Sequence, residues 1–143
     1  MPSKISKKLK QAIEERANGC CEYCKAQQRY SHDYFSVEHI IPLIKKGTSN
    51  EDNLAFCCQA CNNHKYIFTE AIDPITGMTA VLFNPRKQDW KLHFTWDKSF
   101  TLIIGLSSSG RATIERLSLN REGLVNLRQV LFEVNKHPPA DSL

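Results

Sequence analysis

The sequence predicts an α+β fold: two short strands and a helix held between paired cysteines, preceded by one helix and followed by a strand-plus-helix extension. Three observations predict it. Two Cys-x-x-Cys pairs, Cys21–Cys24 and Cys58–Cys61, stand 33 residues apart (25–57). Short extended runs lie between and after them, rich in aromatic and β-branched residues and bounded by turn formers. Apolar residues recur at helical spacing at both ends of the chain.

The elements follow in chain order. Ile5, Leu9 and Ile13 repeat at helical spacing, with Ser3 as N-cap, Ala12 beside the stripe and Asn18-Gly19 as the stop. Lys4, Lys7, Lys8 and Lys10 decorate the start of this helix, as a solvated face or as a face toward phosphates. After the first cysteine pair, residues 34–39 read as a strand. Residues 40–53 contain Pro42, Gly47 and Thr48-Ser49-Asn50, the composition of a loop, and lead to a second strand at 54–57. The second cysteine pair opens a helix expected to run to about Ala71. Asp73-Pro74-Ile75-Thr76-Gly77 is a turn between two extended pieces. Strands are expected at 94–96 and 101–104, and helices at 111–119 and 122–135, before His137-Pro138-Pro139 ends the last one. With 143 residues, the chain fits a single domain, 1–143: an N-terminal helix (1–20), a cysteine-stapled core (21–71) and accessory strands with two helices (72–143).

Composition narrows the classes. At 41% hydrophobic and 24% charged, the chain has the make-up of a folded, water-soluble domain rather than a disordered one. No run is apolar or long enough to span a bilayer, and the N-terminus lacks the apolar core of a signal peptide. A cytoplasmic location is therefore expected, where closely spaced cysteines hold metal more often than they form disulfides. The net charge of +4 suits a polyanionic partner without demanding one.

Four thiolates complete a tetrahedral zinc ion, leaving no open position for water, so Cys21, Cys24, Cys58 and Cys61 are expected to hold a structural Zn2+. Cys20 and Cys57 each precede a pair, which leaves a one-residue shift of the ligand set open; their other reading is as small buried apolar residues. A disulfide framework is the remaining alternative.

Between and after the cysteine pairs stand Val37-Glu38-His39-Ile40-Ile41-Pro42, Asn53-Leu54 and Cys61-Asn62-Asn63-His64-Lys65. In order, spacing and enclosing cysteines these resemble the HNH, or ββα-metal, endonuclease family. The resemblance implies His39 as the general base, Glu38 and Asn62 as ligands of one catalytic Mg2+ or Mn2+, and Asn53 as the central Asn that ties down the loop. Glu38 departs from the commoner Asp but keeps the same ligand chemistry. An imidazole accepts a proton near neutral pH, and carboxylate and amide oxygens suit a hard cation. Adjacent strand residues face opposite ways, so Glu38 and His39 share a site only if the strand ends or bends there. On the following helix Asn62 and Lys65 fall on one face, able to share a phosphate, whereas His64 lies about 200° from Asn62. In some members a histidine of this helix binds metal, which keeps His64 as a further candidate.

The likeness extends over nearly the whole chain to a bacterial and cyanobacterial HNH endonuclease family, through Thr69-Glu70-Ala71-Ile72-Asp73-Pro74, Leu82-Phe83-Asn84-Pro85-Arg86, Trp90, His93-Phe94, Trp96, Gly105-Leu106 and Gly110-Arg111-Ala112-Thr113. Trp90, Phe94 and Trp96 read as core, with a base-stacking platform as the alternative. Arg86, Lys87 and Arg111 are candidate phosphate contacts, and His93 and His137 read as structural or exposed. Leu124, Leu127, Val130, Leu131 and Val134 recur as a packing face, able to meet a second copy of the chain. The expected activity is hydrolysis of DNA. A zinc-stabilised binding module without hydrolysis, and RNA as substrate, are the alternatives.

Overall fold

The computed structural model describes residues 5–143, and the expected Ser3 cap and Lys4 fall outside them. The N-terminal helix α1 (Lys7–Arg16) is capped by Ser6, whose hydroxyl accepts the Leu9 N–H at 3.1 Å. It stops where Asn18 and Gly19 take positive φ, 54° and 69°. Ile13 and Ala17 form its buried stripe, while Ala12 is exposed.

Strands β1 (Ser36–His39) and β2 (Leu54–Cys57) pair antiparallel, with Glu38 opposite Ala55 and His39 opposite Leu54. Helix α2 (Gln59–Lys65) follows at once, entered through Cys58. It is shorter than expected. The chain leaves it at Tyr66, with φ 50°, and the aromatic and β-branched run after it feeds a strand instead. That strand, β3 (Glu70–Ile72), pairs with β4 (Thr79–Val81) across the expected Asp73–Gly77 turn.

A single helical turn that the periodicity did not reveal, α3 (Trp90–His93), is capped by Asp89 and leads into β5 (Phe94–Trp96), which pairs with β6 (Ile103–Gly105). Helix α4 (Ser108–Leu117) starts before the expected Arg111 because the Ser107 hydroxyl accepts the Gly110 N–H. Helix α5 (Glu122–Glu133) follows, and a 3-10 turn at Ala140–Ser142 comes after it.

One apolar cluster joins the four knuckle cysteines to Leu82, Phe83, Trp90, Phe94, Trp96, Leu117 and Leu124, so the C-terminal elements pack directly on the cysteine-stapled unit. A second, smaller cluster seats Ile13 and Ala17 of α1 on Leu54 and Phe56 of β2. Trp90, Phe94 and Trp96 are all buried, which removes the stacking-platform reading. The expected face of α5 divides: Leu124 is buried, Leu127 and Leu131 are half-buried, and Val130 and Val134 are exposed. Arg128 takes the remaining buried place, donating to the carbonyls of Thr101 and Leu119 and lying over the Trp96 ring. Among the described residues no helix is long and apolar enough to cross a membrane.

Candidate active site

The first cysteine pair lies in a tight turn. Lys25, at φ 64°, returns its N–H to the Cys21 carbonyl at 2.9 Å, so that Cys21 and Cys24 present their sulfurs to one point. Glu22 between them pins this turn to β2: its N–H donates to the Phe56 carbonyl at 2.9 Å and its carboxylate accepts the Phe56 N–H at 2.8 Å. The other carboxylate oxygen pairs with Arg86. The second pair comes from the start of α2, where Cys58 and Cys61 lie one helical turn apart.

The sulfurs of Cys21, Cys24, Cys58 and Cys61 all lie within 4.8 Å of one another, and all four residues are buried. A tetrahedral ion with metal–sulfur bonds of about 2.3 Å spaces its ligands about 3.8 Å apart. Cys24 and Cys58 sulfurs stand 3.7 Å apart, which fits such an ion and is far too long for a disulfide. Cys20 and Cys57 are buried but stand outside this set, so the cluster able to hold a metal ion is the one made by the two pairs.

Arg121, which no sequence motif singles out, completes the surroundings of this cluster. It enters from the α4–α5 junction and donates to the Cys58 sulfur at 3.4 Å and the Cys61 sulfur at 3.5 Å. Four thiolates and a divalent ion carry a net charge of −2, and a guanidinium at this distance offsets half of it.

The other face of α2 carries different chemistry. Gln59 donates its side-chain N–H to the Ser36 hydroxyl, and the Lys65 ammonium donates to the Ile40 carbonyl at 2.7 Å. These contacts align the stripe Gln59–Asn62–Lys65 with the stripe Ser36–Glu38–Ile40 of β1 and its continuation. Asn62 and Glu38 are the middle members, both half-buried. Burial raises the Glu38 carboxyl pKa, while the nearby Ser36 hydroxyl and Lys65 charge oppose that rise. Lys65 departs from expectation: at 5% exposure its ammonium props up the end of β1 rather than reaching outward. A buried carbonyl just past the paired strand needs a donor, and Lys65 supplies it. Burial pulls the Lys65 ammonium down to about 8.

β1 ends at His39, and the chain then enters the loop 40–53. Asn53, 8% exposed, ties this loop at three points: its side-chain Oδ1 accepts the Ile41 N–H at 2.9 Å, and its side-chain Nδ2 donates to the Ile41 carbonyl at 2.9 Å and the Thr48 carbonyl at 2.7 Å. Gly47 makes the closure possible, since a Cβ there would stand 1.7 Å from the Ile41 oxygen. The loop so folded brings the Ser49 hydroxyl within 2.9 Å of His39 Nε2. Partial burial lowers the His39 pKa, favouring the neutral ring.

The remaining candidates separate clearly. His64 is exposed and joins neither group of side chains. Arg86 and Arg111, open from the sequence as phosphate contacts, are taken up within the fold, by Glu22 and by a two-point pair with Asp73 at 2.8 and 2.9 Å. Lys87 is exposed. His93 Nδ1 meets the Ser107 hydroxyl at 2.6 Å and His137 Nε2 the Phe100 carbonyl at 2.8 Å, both within the fold. Ser49, Ser36 and Gln59, which escaped sequence reasoning, acquire meaning only through the loop fold and the α2 stripe.

Four clustered cysteines joined to a ββα unit, with an acid–histidine pair at the end of its first strand, give the architecture of the ββα-metal class. Residues 21–66 match the family model described as HNH endonuclease, so the chain carries a domain of that family from the first knuckle to the end of α2. A domain of this family implies a nucleic-acid-cleaving function. No curated protein and no solved structure matches the chain.

Proposed function

We propose that this protein is a metal-dependent endonuclease that hydrolyses phosphodiester bonds in DNA, acting in the cytoplasm as one unit built on a structural Zn2+ held by Cys21, Cys24, Cys58 and Cys61. The reading is supported by the Gln59–Ser36 and Lys65–Ile40 contacts, which tie the stripe of α2 that includes Asn62 to the stripe of β1 that includes Glu38, next to His39. Glu38 and Asn62 offer one carboxylate and one amide oxygen, a donor set that fits Mg2+ or Mn2+ with water completing the shell. Bound there, such an ion supplies electrostatic stabilisation of the charge that builds up on the phosphate and the leaving oxygen.

His39 takes the proton from the attacking water. With Nε2–H donating to the Ser49 hydroxyl, the lone pair lies on Nδ1, and this nitrogen accepts the proton as the water oxygen attacks phosphorus and the bond to the leaving oxygen breaks, that oxygen taking a proton from solvent. The lowered pKa of His39 favours the ring form that can accept it. Asn53 holds the loop that carries Ser49, and so keeps the imidazole in one orientation. Lys65 fixes the strand end from which Glu38 and His39 project.

Incubating purified protein with supercoiled plasmid and with single-stranded RNA, in magnesium, in manganese and in excess chelator, tests the proposal. Nicked or linear plasmid with either metal, and none in chelator, is the expected result. Cleavage of RNA alone would change the substrate, and binding without cleavage under every metal would leave a nucleic-acid-binding module.

A further inference from the structure

An apolar cleft beside the candidate site has one wall inside the HNH segment and the other outside it. The near wall is Ile40 and Ile41, the two residues that follow His39, with Lys45 further along the same loop. The far wall comes from β4 and the segment after it, where Asn84, Lys87 and Gln88 line the opening. The cleft encloses about 450 Å³, within the range of small-ligand sites. Buried Leu82 and Phe83 give it an apolar floor, with exposed Val81 beside them, and Lys65, Thr69 and Glu70 complete the lining.

The polar groups on the far wall are held in place. The Gln88 side-chain oxygen accepts the Asn84 N–H at 2.9 Å, and the Asn84 side-chain oxygen accepts the Arg86 N–H at 2.9 Å. Both amides thus spend their oxygens on the backbone, leaving their N–H groups as donors at the opening. Lys45 and Lys87 are exposed on the two walls, one from each. Cations on both sides, outnumbering the one carboxylate of the lining at Glu70, with amide donors on one side and an apolar floor, match the parts of a nucleotide: phosphate at the rim, base on the floor.

We infer that this cleft is a nucleotide subsite, in which Lys45 and Lys87 grip the phosphate backbone of an unpaired strand and the apolar floor receives one of its bases beside His39. The inference rests on the nuclease reading for its substrate class and extends it by assigning the segment 81–88, outside the HNH match, a part in substrate binding.

Binding without turnover tests it, using a fluorescent single-stranded DNA oligonucleotide, the same oligonucleotide as RNA, a duplex, and a strand of abasic sites, each titrated in chelator over a range of salt. Every lysine that no longer neutralises a phosphate of a single strand flattens the slope of log affinity against log salt by about 0.7. Lys45→Ala with Lys87→Ala should therefore flatten it by about 1.4 and weaken binding at least tenfold at moderate salt. Lys98→Ala with Lys136→Ala removes the same charge elsewhere and should change both far less. The wild type should hold the abasic strand about fivefold less tightly than the ordinary one. Equal behaviour of the two double variants, tighter binding of duplex than of single strands, or no measurable binding by the wild type would overturn the cleft. The two readings fail separately: binding of this kind without cleavage under any metal would overturn the nuclease alone, and cleavage with an unchanged KM in Lys45→Ala/Lys87→Ala would overturn the cleft alone.

Discussion

Helix α2 serves two sites that could hardly differ more. Its first turn brings Cys58 and Cys61 into a buried set of four thiolates, closed over by Arg121 from the C-terminal elements. Its other stripe, Gln59–Asn62–Lys65, is tied to β1 through Ser36 and Ile40, and Asn62 on it is half-buried. A closed soft-ligand site has no position to offer a substrate and can only fasten the fold, whereas an open oxygen-ligand site is free to exchange water and phosphate. On the proposed reading one short helix divides stability from chemistry by face, and the two faces should respond differently to perturbation.

The largest effect belongs to the staple. Cys58→Ser or Cys61→Ser should leave the protein unfolded and metal-free at 25 °C, because metal binding worth roughly 10 to 16 kcal/mol in small zinc domains is itself the folding energy. Circular dichroism and elemental analysis would read this. A variant that kept native ellipticity without metal would break the comparison. On the other face, Asn62→Ala should fold normally, lose most cleavage and recover part of it as magnesium is raised, since the defect lies in ion occupancy.

Asn53→Ala comes next. It removes three hydrogen bonds and strands two carbonyls that Asn53 now satisfies, a loss of about 2 to 4 kcal/mol. Urea unfolding should show it, together with a fall in cleavage as His39 loses its fixed partner in the loop. Arg121→Met should act on the staple alone: transfer of its metal to a chromophoric chelator should quicken about tenfold or more, with Arg121→Lys in between. An unchanged transfer rate would show that the guanidinium does not stabilise the thiolates.

The smallest effect lies at the β3–β4 turn. The Arg111 guanidinium beside Asp73, helped by the Ile75 N–H and the Thr76 hydroxyl, holds the Asp73 carboxyl well below the usual carboxylate range. A depressed folded pKa means that this contribution is fully present above the unfolded value of about 3.9 and is lost as pH falls toward the folded one. Asp73→Asn should therefore be less stable than wild type at pH 7, with the gap narrowing as the pH drops below about 4. Urea midpoints of the two proteins compared at each pH would check this, because any protonation of the cysteines is common to both.

Much of this was legible in the sequence because spacing alone carries it. The two cysteine pairs come together as one cluster, β2 falls at its expected residues, and Asn53 sits in the loop that its side chain then ties. What was hidden depends on long-range packing. Lys65 has the helical position of a phosphate contact, yet a bare carbonyl at Ile40 claims it. Arg86 and Arg111 look like surface charges until Glu22 and Asp73, distant in sequence, come beside them. Arg121 belongs to no motif and reaches the thiolates only because α4 and α5 pack across the knuckles. The early end of α2 rests on the backbone turn at Tyr66, a residue type that gives no local stop signal.

The central claim is that His39 is the base on the open face, and single-turnover cleavage of plasmid by His39→Ala against wild type tests it most directly. With magnesium saturating, the variant should cut about two to four orders of magnitude more slowly while keeping its bound metal, its fold and its affinity for DNA measured in chelator. Cleavage by His39→Ala at the wild-type rate would contradict the account.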